Sequence, residues 1–350
     1  MPNNKENLKR AVLWEPQDGQ KVRCKLCNWR CLLDEGKTGI CAVRKNIGGV
    51  LYSLNYDKVC SANADPIEKK PLFHFQPGSR SFSIATMGCN FQCVFCQNWQ
   101  ISQAAIEDGQ IDGQAISPEQ IVVAAVQSNC KSIAYTYTEP TIFMELCNDC
   151  GRLAKERGLT NVFVSNGYET TEAIDFAKDW LDGINIDLKS FSENYYKRLC
   201  KASLHPVLDT IRYIANETDI WMEITTLLVP GENDSEQELK QLADFIVNKA
   251  GPDVPWHISR FVPQYKYTDS VPTPMETLEK AYNIGINAGL HYVYLGNVPG
   301  TKTESTFCYN CKKVLIKRTG YTIRENIINQ DKCPYCGTDI AGYEMSNTNQ

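Results

Sequence analysis

An α/β fold built on a parallel sheet is what this 350-residue sequence predicts. Three observations carry that reading. Short β-branched or aromatic runs alternate with helical stretches from Ser81 to Gly300; the runs recur at the pitch of strand–helix units; and several alternate polar with apolar residues. The candidate strands are Phe82–Thr86, Ser132–Tyr137, Asn161–Ser165, Ile184–Leu188, Ile220–Leu228, Trp256–Phe261 and Tyr292–Leu295. Helical patterns lie between them, at Pro118–Ser128, Thr171–Trp180, Ser203–Asn216, Ser235–Lys249 and Met275–Ala288. Fully covered parallel strands normally read as continuous apolar runs. Here Asn185, Asp187 and Lys189 alternate with Ile184, Ile186 and Leu188, Glu223 and Thr225 with Met222 and Ile224, and His257 and Ser259 with Trp256 and Ile258. Such alternation puts one set of residues against the helices and the other on the opposite face. Buried charges are too costly to line a dry core. If the sheet closes into a barrel, its lumen is therefore a wet cavity that accepts a ligand; the alternative is an open sheet with one solvated face.

The length suits one barrel-sized domain with small appendages, divided here as residues 1–80, 81–300 and 301–350. The polar start, Met1 to Arg10, lacks the apolar core of a signal peptide, and no apolar run approaches the about 18–20 residues that cross a bilayer. A soluble, cytoplasmic protein is expected. A formal charge of −5 gives no general reason to expect nucleic-acid binding, although Lys312, Lys313, Lys317 and Arg318 could form a local basic patch. The tail after Met345 reads as loop.

Cysteine is the outlier, at 16 residues. Eleven fall into three compact groups: Cys24, Cys27, Cys31 and Cys41; Cys89, Cys93 and Cys96; and Cys308, Cys311, Cys333 and Cys336. In a reducing compartment such groups read as metal sites rather than disulfides. Cys60, Cys130, Cys147, Cys150 and Cys200 are scattered. Cys147 and Cys150 lie in a helical stretch and are expected to be packing residues.

The central group directly follows the first barrel strand, with Gly88 at the turn. A [4Fe–4S] cubane usually takes four thiolates. Three cysteines on one short loop leave one iron without a protein ligand, and a vacant coordination position marks a metal that does chemistry. A fourth cysteine from elsewhere could close the site, but none of the scattered five sits beside an obvious loop motif. A zinc knuckle or a closed electron-transfer cluster is the structural alternative.

CxxxCxxC after a strand, an aromatic residue (Phe95) before the third cysteine, and a following βα array resemble the radical S-adenosylmethionine (SAM) superfamily. The resemblance implies a partial (β/α)6-type, TIM-like barrel over residues 81–300. It also implies a [4Fe–4S] cluster on Cys89, Cys93 and Cys96, with SAM chelating the open iron. Reductive cleavage would give a 5′-deoxyadenosyl radical that abstracts hydrogen from a substrate, with an electron donor such as flavodoxin or ferredoxin. Tyr137-Thr138-Glu139-Pro140 stands where relatives often show Gly-Gly-Glu-Pro, which implies Glu139 as partner of the methionyl amino group. Ser165-Asn166-Gly167 and Asp187-Leu188-Lys189 are similar to strand-end segments of glycyl-radical-enzyme activases. Phe95, Thr138, Glu139, Ser165, Asn166, Asp187 and Lys189 are thus the implied SAM contacts. Ligands of such folds bind at the C-terminal ends of strands, where these segments fall.

Over most of its length the chain resembles the radical SAM component of the AmmeMemoRadiSam system, a relative of pyruvate formate-lyase activating enzymes. Asp65–Phe75, Cys96-Gln97-Asn98-Trp99, Tyr135–Pro140 and Trp256–Phe261 carry that resemblance. It implies Memo-family and Ammecr-family proteins as partners, or one of them as substrate. Val164 stands where activases tend to have Asp, and Thr225 where they tend to have Arg. Both departures weigh against simply transferring the activase activity.

Cys308-x2-Cys311 and Cys333-x2-Cys336 are closely similar to a zinc ribbon; four thiolates close a tetrahedral shell, with rubredoxin-type iron as the alternative. So small a module buries little core, so the metal is expected to hold it folded. Cys24, Cys27, Cys31 and Cys41 suggest a second closed site, zinc or an auxiliary cluster. His205 and His291 read as surface or strand-end residues. His257, on the polar strand face, is a candidate for substrate contact or proton transfer, and His74 lies in a family-like segment. The remaining functional alternatives are an activase that makes a glycyl radical on a partner, and a non-catalytic iron–sulfur and zinc adaptor.

Overall fold

The alternating runs from Ser81 onward become seven parallel strands of a single sheet in the computed structural model, which describes residues 8–298 and 300–346. The start of the polar N-terminal stretch and the end of the tail lie outside the described residues. In chain order, β1 (Lys9–Arg10), β2 (Trp14–Gln17), β3 (Lys21–Cys24), β4 (Leu32–Leu33), β5 (Arg44–Asn46) and β6 (Leu51–Ser53) come first. They pair as two small antiparallel sheets, β1–β6–β5 and β2–β3–β4. Then follow β7 (Lys58–Pro66), β8 (Arg80–Thr86), β9 (Gln114–Ala115), β10 (Ser132–Tyr135), β11 (Thr160–Ser165), β12 (Gly183–Asp187), β13 (Trp221–Leu228), β14 (Trp256–Arg260) and β15 (Val293–Gly296). These form one nine-stranded sheet in the order β15–β14–β13–β12–β11–β10–β8–β7–β9. From β8 to β15 every pairing is parallel, whereas β7 and β9 run antiparallel at one edge. Two different strands end the sheet, so the barrel is partial. β7 precedes residue 81, so the main sheet begins inside the segment read from sequence as the N-terminal extension.

Helices connect the parallel strands and cover one face of the sheet. Pro118–Gln127 starts on a capping box between Ser117 and Gln120, and Thr170 and Ser235 cap the helices that begin at Thr171 and Glu236. Met144–Glu156 packs so closely on Trp180 that a Cβ at Gly151 would lie 2.4 Å from the indole. Cys147 and Cys150 are fully buried on that helix. No helix among the described residues is long and apolar enough to cross a membrane.

The inward polar residues divide by height. Nearer the N-terminal ends of the strands, the chain covers them with its own segment Pro71–His74. Asn185 donates to the Pro71 carbonyl (2.7 Å), and Glu223 accepts from the backbone N–H groups of Phe73 (3.0 Å) and His74 (2.7 Å). His257 bonds Glu223 at 2.7 Å, and the hydrogen bond from His257 holds the Glu223 carboxyl below its ordinary range against the opposing effect of burial. Farther up, Asp187, Thr225 and Ser259 line a cavity. The polar interior is thus half plug and half chamber.

Residues after 300 complete the plug. β16 (Thr306–Phe307), β17 (Val314–Thr319) and β18 (Thr322–Asn326) form a three-stranded antiparallel sheet. Its apolar face shares a core with the barrel: Leu315, Ile316 and Ile340 pack in one cluster with Phe73, Tyr292 and Tyr294. Arg318 does not join a surface basic patch, as the sequence suggested. It is 4% exposed, lies over the Phe73 ring, and donates to the Thr306 hydroxyl (2.7 Å) and the Phe73 carbonyl (2.8 Å). His74 bridges the Tyr294 hydroxyl and the Ala341 carbonyl, both at 2.6 Å.

His257 therefore belongs to the plug and does not line the cavity. Replacing His257 with Ala is expected to cost about 2–3 kcal/mol of stability, because it strips a fully buried carboxylate of a hydrogen-bond partner. Thermal unfolding measures the loss. An unchanged melting temperature with lost turnover would return His257 to the chemistry.

Candidate active site

The loop after β8 is positioned by three other parts of the chain. Gly88 turns with φ 109°, and a Cβ there would lie 2.8 Å from the Val43 side chain and 3.2 Å from the Cys41 carbonyl. Only glycine fits so tight a left-handed turn against a backbone. Trp29 Nε1 donates to the Asn90 carbonyl (2.9 Å). Gln92 and Val94 donate their N–H groups to the carbonyls of Cys200 (3.0 Å) and Leu199 (2.9 Å), at the end of the wide helical turn Tyr196–Cys200. So anchored, Cys89, Cys93 and Cys96 line one cavity of about 290 Å³, with Phe91 and Phe95 beside them. Phe95 is buried against Tyr195, and Cys96 Sγ lies 3.2 Å from the Ser102 hydroxyl.

Sequence reading found no cysteine near this loop, but the fold brings one there. The buried Cys200 thiol is hydrogen-bonded to Cys93. The fold thus offers Cys200 as a hydrogen-bond donor to the Cys93 sulfur.

Thr138, Glu139, Ser165, Asn166, Asp187 and Lys189 line the same cavity, every one a residue singled out in the sequence. They sit at the C-terminal ends of β10, β11 and β12 or just beyond. Thr138 donates to the Thr86 carbonyl (2.9 Å), and Lys189 pairs with Asp187 (2.9 Å). Glu139 Oε1 accepts from Thr141 N (3.0 Å) and Ser165 Oγ (3.0 Å), and Oε2 from Asn166 N (2.8 Å). A second carboxyl that sequence reading missed, Glu169, shares these donors. Ser165 Oγ lies 2.5 Å from Glu169 Oε1, and Thr141 Oγ1 lies 2.5 Å from Glu139 and 3.0 Å from Glu169. The two hydroxyls are thus shared between both carboxyls. Burial and then the Glu169 charge push Glu139 up to about 8, and burial raises Glu169 too. Tyr137, just before, has φ 67°, a backbone state that glycine ordinarily supplies. Lys69, Lys70, Asn98 and Asn297 also reach the cavity without having been singled out. The donor set fits an iron–sulfur cluster left one ligand short, facing carboxyl, amide, hydroxyl and ammonium groups that can bind an amino acid.

Two further thiol groups lie outside the cavity. The Sγ atoms of Cys308, Cys311, Cys333 and Cys336 all lie within 4.8 Å of one another, with Cys308–Cys336 and Cys311–Cys333 both at 3.7 Å. A tetrahedral ion with Zn–S bonds of about 2.3 Å has sulfur–sulfur edges of about 3.8 Å, so this group can hold a metal ion. Cys24, Cys27, Cys31 and Cys41 line one enclosed space of about 20 Å³ together with Arg44. Their loop docks on the barrel: Asn28 donates through its N–H to the Tyr168 carbonyl (2.9 Å) and through its side chain to the Glu169 carbonyl (2.6 Å), and Thr170 donates to Lys25 (2.7 Å).

The sequence profile of the Radical SAM superfamily matches residues 83–246. An uncharacterised protein of Methanocaldococcus jannaschii is 45% identical over 337 residues, 95% of this chain and 99% of that one. The pyruvate formate-lyase 1-activating enzyme of Escherichia coli is 23% identical over 230 residues, covering 59% of this chain and 89% of the relative. A putative glycyl-radical enzyme activating enzyme of M. jannaschii is 28% identical over 225 residues, 63% and 80% of the two chains. Among solved structures, a radical SAM methyltransferase from Sphaerobacter thermophilus shares the fold, with TM-score 0.50, 14% identity and coverage of 63% and 67%. The chain belongs to the radical SAM superfamily, and it is an enzyme that cleaves SAM reductively at a [4Fe–4S] cluster to a 5′-deoxyadenosyl radical. Within the superfamily it is homologous to the pyruvate formate-lyase activating enzymes, and like them it needs an electron donor.

Proposed function

We propose that Cys89, Cys93 and Cys96 hold the cluster and that SAM occupies the strand ends. Its amino group meets Glu139, with Phe95, Thr138, Ser165, Asn166, Asp187 and Lys189 around it. The observation that carries this is the convergence of all these side chains, from separate segments of the chain, on the cavity that the three thiols enter. Bound there, the cofactor pair supplies a radical that takes hydrogen from the substrate; the chain orients both and keeps water out. Flavodoxin or ferredoxin supplies the electron, in the cytoplasm. The test is anaerobic reconstitution followed by dithionite and SAM: 5′-deoxyadenosine is expected, and an intact cluster that forms none would leave a non-catalytic adaptor. Incubation with deuterated cell-extract fractions then finds the substrate by label entering 5′-deoxyadenosine.

A glycyl-radical activase is the second reading, supported by the named relatives. Val164 and Thr225, which stand where activases tend to carry Asp and Arg, both face the cavity, and this favours a different substrate. Membership of the AmmeMemoRadiSam system, with Memo-family and Ammecr-family proteins as partners or substrate, is supported by the resemblance of Asp65–Phe75, Cys96–Trp99, Tyr135–Pro140 and Trp256–Phe261. An organic-radical spin signal on a partner protein would decide for the activase.

The raised Glu139 carboxyl gives this reading a pH signature. At pH 6.5 the carboxyl is largely protonated and no longer offers a negative acceptor to the amino N–H groups of SAM; toward pH 8 it ionises. SAM affinity is expected to rise across that window by up to about tenfold per pH unit. Glu169→Gln removes the like charge and should flatten the rise. A titration equally steep in both proteins would disconnect Glu139 from SAM.

For the C-terminal thiols we propose structural zinc, because four sulfurs at tetrahedral spacing close the coordination shell. For the N-terminal four we also propose zinc. Four thiolates lining one space would close a tetrahedral shell, and an auxiliary cluster is the alternative that metal analysis separates from it.

A further inference from the structure

The floor of the cavity is built from a group that the cluster and the amino end of SAM leave unused. Asp65, on β7, is its hub. Oδ1 accepts from Lys69 Nζ (2.8 Å), Oδ2 accepts from Lys70 Nζ (2.8 Å) and Ser83 Oγ (3.0 Å), and the Tyr137 hydroxyl also donates to it. Three of these donors, Tyr137 included, fall on Oδ2 and one on Oδ1, so the carboxylate is largely engaged. Each ammonium, in contrast, carries three N–H donors. Among the described residues, Lys70 Nζ is bonded to Asp65 and at 3.4 Å to the Tyr137 hydroxyl, and Lys69 Nζ to Asp65.

The hydrogen-bonding capacity left over on this floor is therefore mostly donor, and two positive charges face one negative charge. Burial, with Lys69 adding to it, pushes Lys70 down to about 8 although Asp65 opposes the shift. Lys70 is 1% exposed yet borders the cavity, as do Lys69 and Tyr137. The Tyr137 ring is delivered to this cluster by its left-handed backbone and sits 4.5 Å below the Lys70 ammonium. On another wall Thr225 is 7% exposed, and its buried hydroxyl oxygen has no partner in the structure. A low-dielectric chamber with one unbalanced cation draws a negative ligand.

We propose that the floor at Lys69, Lys70 and Tyr137 is the subsite for an anionic acceptor group, a carboxylate or a phosphate, on a small substrate that also meets Thr225. The proposal rests on the reading of the cavity as the radical chamber. Charge-assisted bonds from two ammonium groups would fix the substrate at one end and leave its other end toward the thiol loop.

The test uses the paramagnetism of the reduced cluster. Reconstituted enzyme loaded with a non-cleavable SAM analogue, S-adenosylhomocysteine, is reduced and mixed with inorganic phosphate, read by 31P relaxation, or with 13C-labelled acetate, read by 13C relaxation. The oxidised protein serves as the diamagnetic blank. Enhanced relaxation of one anion or both is expected, and which one responds assigns the substrate's group. Lys70→Met and Lys69→Gln should weaken that binding at least about tenfold, as loss of a charge-assisted bond implies. If Lys70→Met does not fold, the half-exposed Lys69 carries the test. Equal relaxation in wild type and variants, or relaxation of neither anion, would overturn the subsite. Enhancement seen only without the analogue would also overturn it, since the anion would then be taking the place of the SAM carboxylate. Absence from the wild type of the cluster spin signal and, with SAM itself, of 5′-deoxyadenosine would instead remove the radical-chamber reading itself.

Discussion

Cys93→Ala is expected to abolish the [4Fe–4S] spin signal and to lower 5′-deoxyadenosine formation to background, while Cys200→Ala keeps both. Three thiolates serve three irons, so removing one leaves a second corner unligated, and the cubane is no longer held. Cys89→Ala and Cys96→Ala should behave as Cys93→Ala does. Cys200 sits just as close to the loop, and the same backbone bonds that anchor Gln92 and Val94 bring its thiol to the Cys93 sulfur. As a donor to a cluster thiolate it stabilises the reduced, more negative state. Its removal should therefore lower the reduction potential without loss of iron. Iron content, the electron-spin spectrum and a redox titration of the two variants separate the roles. If Cys200→Ala lost iron as Cys93→Ala does, Cys200 would be a fourth ligand. The corner reserved for SAM would then be filled by protein, and the radical chemistry would have no place to begin.

How much of this was legible in the sequence follows from the range of the interactions. The seven strands could be read because each is a local run whose composition differs from its flanking helices. The thiol loop could be read because its ligands lie within eight residues, from Cys89 to Cys96. The alternation at Asn185, Glu223 and His257 correctly put these residues on the inner face. It could not say which height of the barrel the chain would fill with Pro71–His74 and Arg318, since those segments arrive from opposite ends of the sequence. Arg318 looked like part of a basic run for the same reason: three neighbouring lysines are visible in sequence, and a carbonyl 245 residues away is not. Glu169 and Cys200 were missed because their importance lies in what they touch. Glu169 did follow the strand-end segment Ser165–Tyr168 directly, so a carboxyl one turn from an expected SAM contact was a signal available to be used. Tyr137 carries a different lesson. Tyr137 stands where the strand-end motif has a glycine, yet it takes a left-handed backbone itself and spends its side chain on the cavity floor.

Cys27→Ser is expected to disturb the radical site although its thiol is not in the cavity. The loop from Cys24 to Cys31 has almost no core of its own, and Arg44 lies buried beside the thiols with its own partner in Glu145 at 2.7 Å. A metal on the four sulfurs would hold this loop rigid. The loop in turn holds two pieces of the site: the Asn90 carbonyl through Trp29, and the Tyr168 and Glu169 carbonyls through Asn28. The first belongs to the cluster loop. The second follows Asn166, whose side chain bonds the Asn90 side chain at 2.7 Å and so joins the two. Loss of the terminal metal should therefore lower stability by about 3 kcal/mol or more and weaken SAM binding about tenfold or more, as a site held to within a fraction of an ångström loosens. The expected result is a protein short of one zinc, with a lowered melting temperature and a cluster that reconstitutes but binds SAM poorly. Trp29→Phe separates the two effects, since it leaves the thiols intact and removes only the bond to Asn90. It should retain zinc and lose part of the SAM affinity. Full SAM affinity in a Cys27→Ser protein that lacks the N-terminal zinc would show that the N-terminal thiols merely decorate the barrel.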